Sequence, residues 1–584
     1  MDLSALTRIL ADKPIPTLFS ALASSAPGAS DESLQSILDA ELSRRTQQLR
    51  DLQVFRNRIA SPATRLPPEI LSEIFLNLAG ESDYGLSWRR YAFVSRTWLD
   101  AALNTPALWS FVDLTRIRTL SVLRRFLDRA KDSPLSVDIT VRSQTRCYWA
   151  DGEPLFWHDR QLRALKIDIQ PNLVVSFLDR IVFENHPRLE SMRIIAIPRE
   201  VYGGDRPPVP EDYIVVRLPF EFFLERTPLL RRLFLVNISF DWSTLRNLTH
   251  LKVLWSREWS EQYTVDWTLR DIAEALIRCP QLTRVVMRPL PVAELDVPLS
   301  PVNLPCLSDL EFIGFAESCG QLLTALKMPS STTLNIDATR SGDNFNISAL
   351  EPLIAGLQRH YTGSTSLLRT MICSMVHVEN RGESLCFHFY EEARLHPRNM
   401  SYEERSKSYL LTLYTYPRTR EAMCGLISLL LSVMPFHNIL YLDWRGTSSV
   451  HSEAKATIME NLPALEAIAV YLREEDVDCL LETLAIYSQR GNGWDEGCIY
   501  IDAGCLQWNT PEELQAAHIL LDRVVAHAAE ANLSEHPLKA IVLFAAPKTF
   551  VDDIDAQDVA RSLSLGFKCN EVLYTYTGEG EGER

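Results

Sequence analysis

Two hydrophobic periods divide the chain. Between residues 31 and 60, Leu38, Leu42, Leu49, Leu52 and Ile59 recur at steps of three, four and seven, which lines them up on one stripe of a helix. Arg45 and Arg56 interrupt that stripe and the pattern lasts barely three heptads, so a helix packed against the following domain is expected in preference to a dimerising coiled coil. Next comes "SPATRLPPEILSEIFLNLAG", residues 61 to 80. Pro67 and Pro68 suit a helix N-terminus, where the first-turn amides lack intrahelical partners, and Glu69 complements the dipole. Ile70, Leu71, Ile74, Phe75 and Leu78 then make one continuous apolar face until Gly80 ends it. A second helix is expected to carry Tyr91, Val94, Trp98 and Ala102 on one face and to stop at Pro106. So few short helices bury little surface alone, which predicts a partner.

From Leu162 the period shortens to that of strands. "LRALKIDI" (162 to 169), "LESMRII" (189 to 195), "LRRLFLV" (230 to 236), "LTRVVM" (282 to 287), "LSDLEFI" (307 to 313), "ILYLDW" (439 to 444), "LEAIAVY" (465 to 471) and "LKAIVLF" (538 to 544) share one apolar phrase. Intervals between first positions include 27, 25 and 26 residues, with one of 41 between Leu189 and Leu230. Repeats of about 20 to 29 residues built on L-x-x-L-x-L are the mark of leucine-rich repeats. Each phrase alternates as a strand should, and stretches such as "TLRDIAEALIRC" and "MENLPALEAIAVYL" are expected to supply helices on the other side of a solenoid. Residues between the buried strand positions then point to the free face. They include Lys166, Asp168, Arg232, Phe234, Trp255, Glu311, Tyr441, Asp443, Tyr500, Asp502 and Phe544, a mixture of aromatic, basic and acidic groups suited to binding a protein.

The segments "LPPEILSEIF", "VSRTW" and "PALW", from Leu66 to Trp109, resemble an F-box of the kind abundant in fungi of the mushroom class. The preceding helix ending "RNRIASPATRLPPEIL" is similar to the N-terminal helix of those proteins. "FLDRAKDSPLSVDIT" and "WHDRQLRALKIDI" match the passage from F-box to leucine-rich repeats. The likeness is specific over about residues 40 to 170 and architectural beyond. It implies an α/β chain: a flexible tail over 1–30, an amphipathic helix over 31–60, an F-box over 61–115 and a helical linker over 116–160. An irregular leucine-rich-repeat solenoid over 161–573 and a disordered tail over 574–584 complete it. It also implies that Leu66, Pro67, Ile70, Leu71, Ile74, Phe75, Val94 and Trp98 dock on the adaptor subunit of an SCF ubiquitin ligase and, through it, on cullin.

Composition narrows the partners. The net charge of -16 argues against a general nucleic-acid binder, and no run of about 18 apolar residues is present for a membrane span. The N-terminus has neither a basic region nor a continuous apolar one, so a cytoplasmic or nuclear protein is expected. The 11 cysteines contain no CxxC pair, which suits reduced core thiols better than zinc or a redox dithiol. Only ten of the 59 basic residues are Lys, and none lies between Lys13 and Lys131. Codon bias toward Arg explains this, as does avoidance of ubiquitin acceptor amines beside a ligase.

No catalytic chemistry emerges. A phosphate loop ending in Gly-Lys-Ser/Thr, H-E-x-x-H and G-x-S-x-G are all missing, and "GNGWDEG" (491 to 497) reads as a loop. "DDIDAQD" (552 to 558) has a calcium loop's acidity but places Asp558 and Ser564 where Gly and Glu belong. His388 and His396 lie eight apart with nothing else to make a metal site. The expectation is a non-enzymatic substrate receptor without metal or cofactor, which holds an unidentified protein target. The alternative is a repeat scaffold that works outside any degradative route.

Overall fold

The computed structural model describes residues 31–60, 62, 66–81, 88–117, 119–140, 161–169, 186–196, 216–220, 222–255, 267–293, 298–338, 347–361, 370–378, 382–390, 409–415, 425–430, 438–444, 450–490, 497–502, 511–532, 540–544 and 566–569. The expected tails, all of "GNGWDEG" except its last residue, His396 and the acidic stretch at 552–558 lie outside them. The chain forms two compact units that meet in sequence at Lys166 and Ile167.

The first unit is helical at its start. Helix α1 is Asp31–Ala60, α2 is Pro68–Glu81, α3 is Trp88–Ala92, α4 is Arg96–Leu103 and α5 is Pro106–Trp109. Where one continuous helix is expected around Tyr91 to Ala102, the chain breaks at Phe93–Ser95. Ser95 has extended backbone there, and its Oγ accepts the Trp98 amide at 3.2 Å. A serine that caps an amide in this way starts a new helix, so the sequence pattern of one face spans two elements. Strand β1 (Phe111–Asp113), α6 (Leu120–Ala130) and β2 (Leu135–Thr140) follow, with β2 lying parallel to β1. The segment expected to be a helical linker is therefore a strand-helix-strand crossover in its first part. Strand β3 (Leu162–Ile169) leads into the second unit.

An aromatic chain holds the helices together. Phe75 meets Trp98 at 5.6 Å and Trp88 at 6.4 Å, Trp88 meets Trp109 at 5.4 Å, and Trp109 meets Phe126 at 5.0 Å. Trp109 Nε1 donates to the Ala102 carbonyl at 2.9 Å, so the large ring is buried without an orphaned donor. The Arg129 guanidinium covers its other face at 4.3 Å.

The second unit is a mixed α/β structure around a large, mostly parallel sheet. Strands β4 (Ser191–Ala196), β5 (Arg232–Val236), β6 (His250–Leu254), β7 (Arg284–Arg288), β8 (Asp309–Ile313) and β9 (Thr333–Asp337) pair in chain order, all parallel. Then β10 (Thr370–Val378), β11 (Gly382–Tyr390) and β12 (Tyr409–Thr415) form an antiparallel meander. It folds back so that β12 pairs with β9, while β10 pairs with β13 (Tyr441–Asp443). Parallel pairing resumes through β14 (Ala467–Tyr471), β15 (Cys498–Asp502), β16 (Ala540–Phe544) and β17 (Gly566–Cys569). Helices α7 (Leu269–Ile277), α8 (Ala316–Ala325), α9 (Glu351–Tyr361), α10 (Ser452–Glu460), α11 (Glu474–Gln489) and α12 (Pro511–Asn532) connect successive strands.

All eight apolar phrases contain a strand, and from β4 onward each strand starts two residues after the first apolar position. Those leading residues, among them Leu189, Leu230, Leu282 and Leu307, are buried just ahead of the strands. Within the strands, Leu233, Leu251, Val285, Leu310 and Leu334 form one buried in-register row. "MENLPALEAIAVYL" is the exception to the helical expectation. Its helix ends at Glu460, and β14 occupies the second half, where β-branched and small residues stack against β13 and β15.

Helices α8 and α9 touch through Gly320, where an added Cβ would overlap the backbone at Pro352 and Leu353, with Leu353 Cα only 2.8 Å away. Gly356 faces the Leu323 side chain at 3.1 Å, which can give way. We therefore expect Gly320→Ala to destabilise the second unit by about 1–3 kcal/mol and Gly356→Ala by clearly less. Urea titration of both variants checks the order.

Burial lowers the His360 and His388 imidazoles to about 4. With an unfolded value near 6.5, the unfolded chain binds more protons between those limits. The contribution of each neutral ring is fully present above pH 6.5 and is lost as pH falls toward 4. The urea midpoint of the second unit should fall across that window, and His360→Gln should flatten the fall.

Candidate functional site

The helical module presents apolar side chains on two levels. Leu71 and Phe75 are fully buried, and Ala79 continues their row one turn later. Ile70 is 48% exposed, while Ile74 and Leu78 are half-buried, so a second row runs beside the first. Pro67 is exposed and Leu66 half-buried at the start of α2. The Pro67 carbonyl accepts the Leu71 amide at 3.1 Å, which fixes the first turn. Ser72 Oγ bonds Thr105 Oγ1 at 2.7 Å and ties α2 to the start of α5. At the break between α3 and α4, Phe93 is 71% exposed and Val94 63%, with Tyr91 also exposed. Trp98 is half-buried against Phe75.

Of the adaptor-facing residues expected from sequence, Pro67, Ile70 and Val94 thus stand in solvent, and Leu66, Ile74 and Trp98 stand partly so. Leu71 and Phe75 do not reach the surface, because they carry the packing of α2 on α4 and on the aromatic chain. Phe93 is the large exposed side chain that the sequence reading passed over. It was hidden in what looked like the middle of a helix. Residues 63–115 match the F-box-like family. The match covers all of the exposed positions just described. Among curated proteins none matches the chain. An F-box-like module has its core complete within this chain, yet it leaves four large apolar side chains, Ile70, Tyr91, Phe93 and Val94, in water.

A second surface lies on the strands of the other unit. Opposite the buried rows, the in-register positions Arg193, Phe234, Lys252, Val286, Glu311 and Asn335 run across β4 to β9. The Arg193 guanidinium lies 4.5 Å from the Phe234 ring centroid and Lys252 Nζ lies 4.7 Å from it, so one ring serves two cations. The neighbouring row brings Arg232, His250, Arg284 and Asp309 together. Arg288 pairs with Glu311. Burial holds the Lys252 ammonium below its ordinary range, and repulsion from Arg288, Arg284 and Arg193 adds to it. Burial, with Arg232 and Arg284, likewise lowers His250 against the pull of Asp309. Five basic groups, Arg193, Arg232, Lys252, Arg284 and Arg288, thus lie close together on a chain whose net charge is -16.

Of the expected free-face residues, Arg232 is exposed, and Asp168, Phe234, Glu311, Tyr441 and Tyr500 are half-buried. Lys166 is held by Asp138 at 2.7 Å inside the first unit. Three positions depart from the expectation. Trp255 is buried because its ring packs on Trp267 at 5.3 Å, within a cluster that includes Phe240 and Trp242. Asp443 and Asp502 are buried at the last positions of β13 and β15, beside the fully buried Leu442 and Ile501. The side chain of Phe544 lies outside the described residues. Arg193, His250, Lys252, Arg284 and Arg288 were not among the expected residues. The alternation in "HLKVL" (250 to 254) was the signal that could have found two of them.

Among the described residues no group of His, Cys, Asp and Glu could hold a metal ion, and no helix is long and apolar enough to cross a membrane.

The two levels of the helical module make separable variants. Leu71→Ala and Phe75→Ala should each destabilise it by about 2–5 kcal/mol. Ile70→Ala and Val94→Ala should stay within about 0.5 kcal/mol of the parent. Thermal unfolding of residues 31–166, followed by Trp fluorescence within the full chain, distinguishes them.

Proposed function

We propose that this chain is the substrate-recognition subunit of an SCF-type ubiquitin ligase. The F-box-like module docks on the adaptor subunit and thereby on cullin, and the strand-helix domain, read as leucine-rich repeats, holds a protein target. The observation that carries this reading is the coincidence of the F-box-like match with Ile70, Tyr91, Phe93 and Val94 standing in water on a module whose core is already closed. Exposed apolar groups on a small helical unit mark a place where another protein completes the burial. Exposed Pro67 and half-buried Leu66, Ile74 and Trp98 form the margin of that contact.

On this reading the chain performs no bond chemistry itself. It raises the effective concentration of target lysines near a ubiquitin carrier held by the same assembly. The positive strand surface, Arg193, Lys252, Arg232 and Arg284 around Phe234, suits an acidic segment of the target, since charge complementarity governs encounter and register more than area does. Phe234 supplies the apolar centre such a segment needs.

Affinity capture of the full chain under proteasome blockade tests both halves. Wild-type protein should retain the adaptor, cullin and a target. Ile70→Asp combined with Val94→Asp should reduce adaptor capture at least tenfold, about 1.4 kcal/mol, and leave target capture intact. Arg193→Glu with Lys252→Glu should do the reverse. Failure of the wild-type chain to hold either adaptor or cullin overturns the ligase reading. Stable target abundance after removal of this protein, with adaptor binding intact, would favour a non-degradative scaffold.

A further inference from the structure

Helix α1 does not pack its apolar stripe on the rest of its unit. Leu42 is 65% exposed, Leu49 58% and Leu38 39%, along a helix of 30 residues. At about 1.5 Å per residue it is about 45 Å long. The expectation that this stripe packs on the following domain is not met by these positions. What occupies the stripe can be argued from the helix's own charges. Residues 31–43 carry Asp31, Glu32, Asp39 and Glu41 and no base, whereas residues 44–60 carry Arg44, Arg45, Arg50, Arg56 and Arg58 against Asp51 alone. The helix is neutral overall but strongly divided along its length.

We propose that α1 pairs with α1 of a second copy of this chain, antiparallel, stripe against stripe. Running in opposite directions, the acidic half of each helix lies on the basic half of the other, while a parallel pair would set like on like. Seven-residue spacing places Leu38, Leu42, Arg45, Leu49, Leu52, Arg56 and Ile59 along the seam. The antiparallel register that sets Leu42 opposite Leu52 of the second copy also sets Arg45 opposite Leu49 and Leu38 opposite Arg56, so no two arginines face each other. Arg45, which a parallel seam would stack on itself, is already bound to Glu41 at 2.9 Å. The two arginines that flaw a parallel coiled coil are therefore compatible with this arrangement. They set its direction in the way that a polar seam residue specifies register.

Three heptads form a small interface, so self-association on the order of micromolar is expected. The pairing does not depend on the adaptor, and its consequence is a particle that carries two F-box-like modules.

Sedimentation equilibrium of the full chain provides the test. At low salt and tens of micromolar, wild-type protein should be dimeric, and Leu42→Asp with Leu49→Asp should shift dissociation at least a hundredfold without changing the melting curve. Added sodium chloride should weaken the dimer, because the opposed halves attract; a parallel pair would strengthen instead. A helix made net basic by Asp39→Arg and Glu41→Arg should self-associate more weakly than wild type, but should pair with one made net acidic by Arg50→Glu and Arg56→Glu. A monomeric wild-type chain overturns the proposal. So does a dimer indifferent to the leucine changes, or one that salt strengthens.

Discussion

The structure of the larger unit depends on parallel strands whose apolar side chains recur in register on one face. Leu233 and Leu235, Leu251 and Val253, Val285 and Met287, Leu310 and Phe312, and Leu334 and Ile336 are buried on that face of β5 to β9. On the opposite face, where Arg193, Phe234, Lys252 and Glu311 are half-buried and Val286 is buried, the polar side chains hold one another. They do so through Phe234 between Arg193 and Lys252, and through Arg288 with Glu311. A surface held by its own polar contacts is rigid before any ligand arrives, and rigid, pre-arranged groups lose less entropy on binding.

The buried side of this sheet was legible in the sequence, because leucines at fixed steps must face one way along a strand. The eight phrases located eight strands, and the two-residue lead of the phrases from "LESMRII" onward follows from buried residues such as Leu189, Leu230, Leu282 and Leu307 just ahead of the strands. The opposite side was less legible. A strand position that alternates away from the core accepts almost any residue, so nothing in "LESMRII" or "LTRVVM" marks Arg193 or Arg284 as neighbours of Lys252. Only the register of β4 to β8 brings them together. Strands β10 to β12 escaped for a different reason. Their order in the sheet reverses their order in the chain, and no local pattern encodes where a hairpin folds back.

In the smaller unit α2 was legible from its apolar run, but that run merged two stripes into one. Residues one apart on a helix are about 100° apart in direction, so Ile70 and Leu71 share an apolar run without sharing an environment. Leu71, Phe75 and Ala79 recur by fours and are buried; Ile70, Ile74 and Leu78 recur by fours and are partly or wholly in water. A face wider than the core needs leaves one stripe over. The break at Ser95 has a similar origin. The apolar pattern runs through it, but a serine whose hydroxyl reaches the third amide onward offers the backbone a better alternative than continuing the helix. The cap turns Phe93 and Val94 outward, at the junction between two short helices.

Charge distribution, more than charge total, connects these surfaces. A net of -16 would repel an acidic partner or a second copy if it were spread evenly. It is not spread evenly. Strands β4 to β7 concentrate arginine and lysine in register, and α1 cancels its own charge while separating it along its length. With a screening length near 8 Å at physiological salt, a partner feels the patch it touches and little of the rest. Each interaction surface can therefore carry its own electrostatic identity. Whole-chain composition therefore does not predict how any one face will choose a partner.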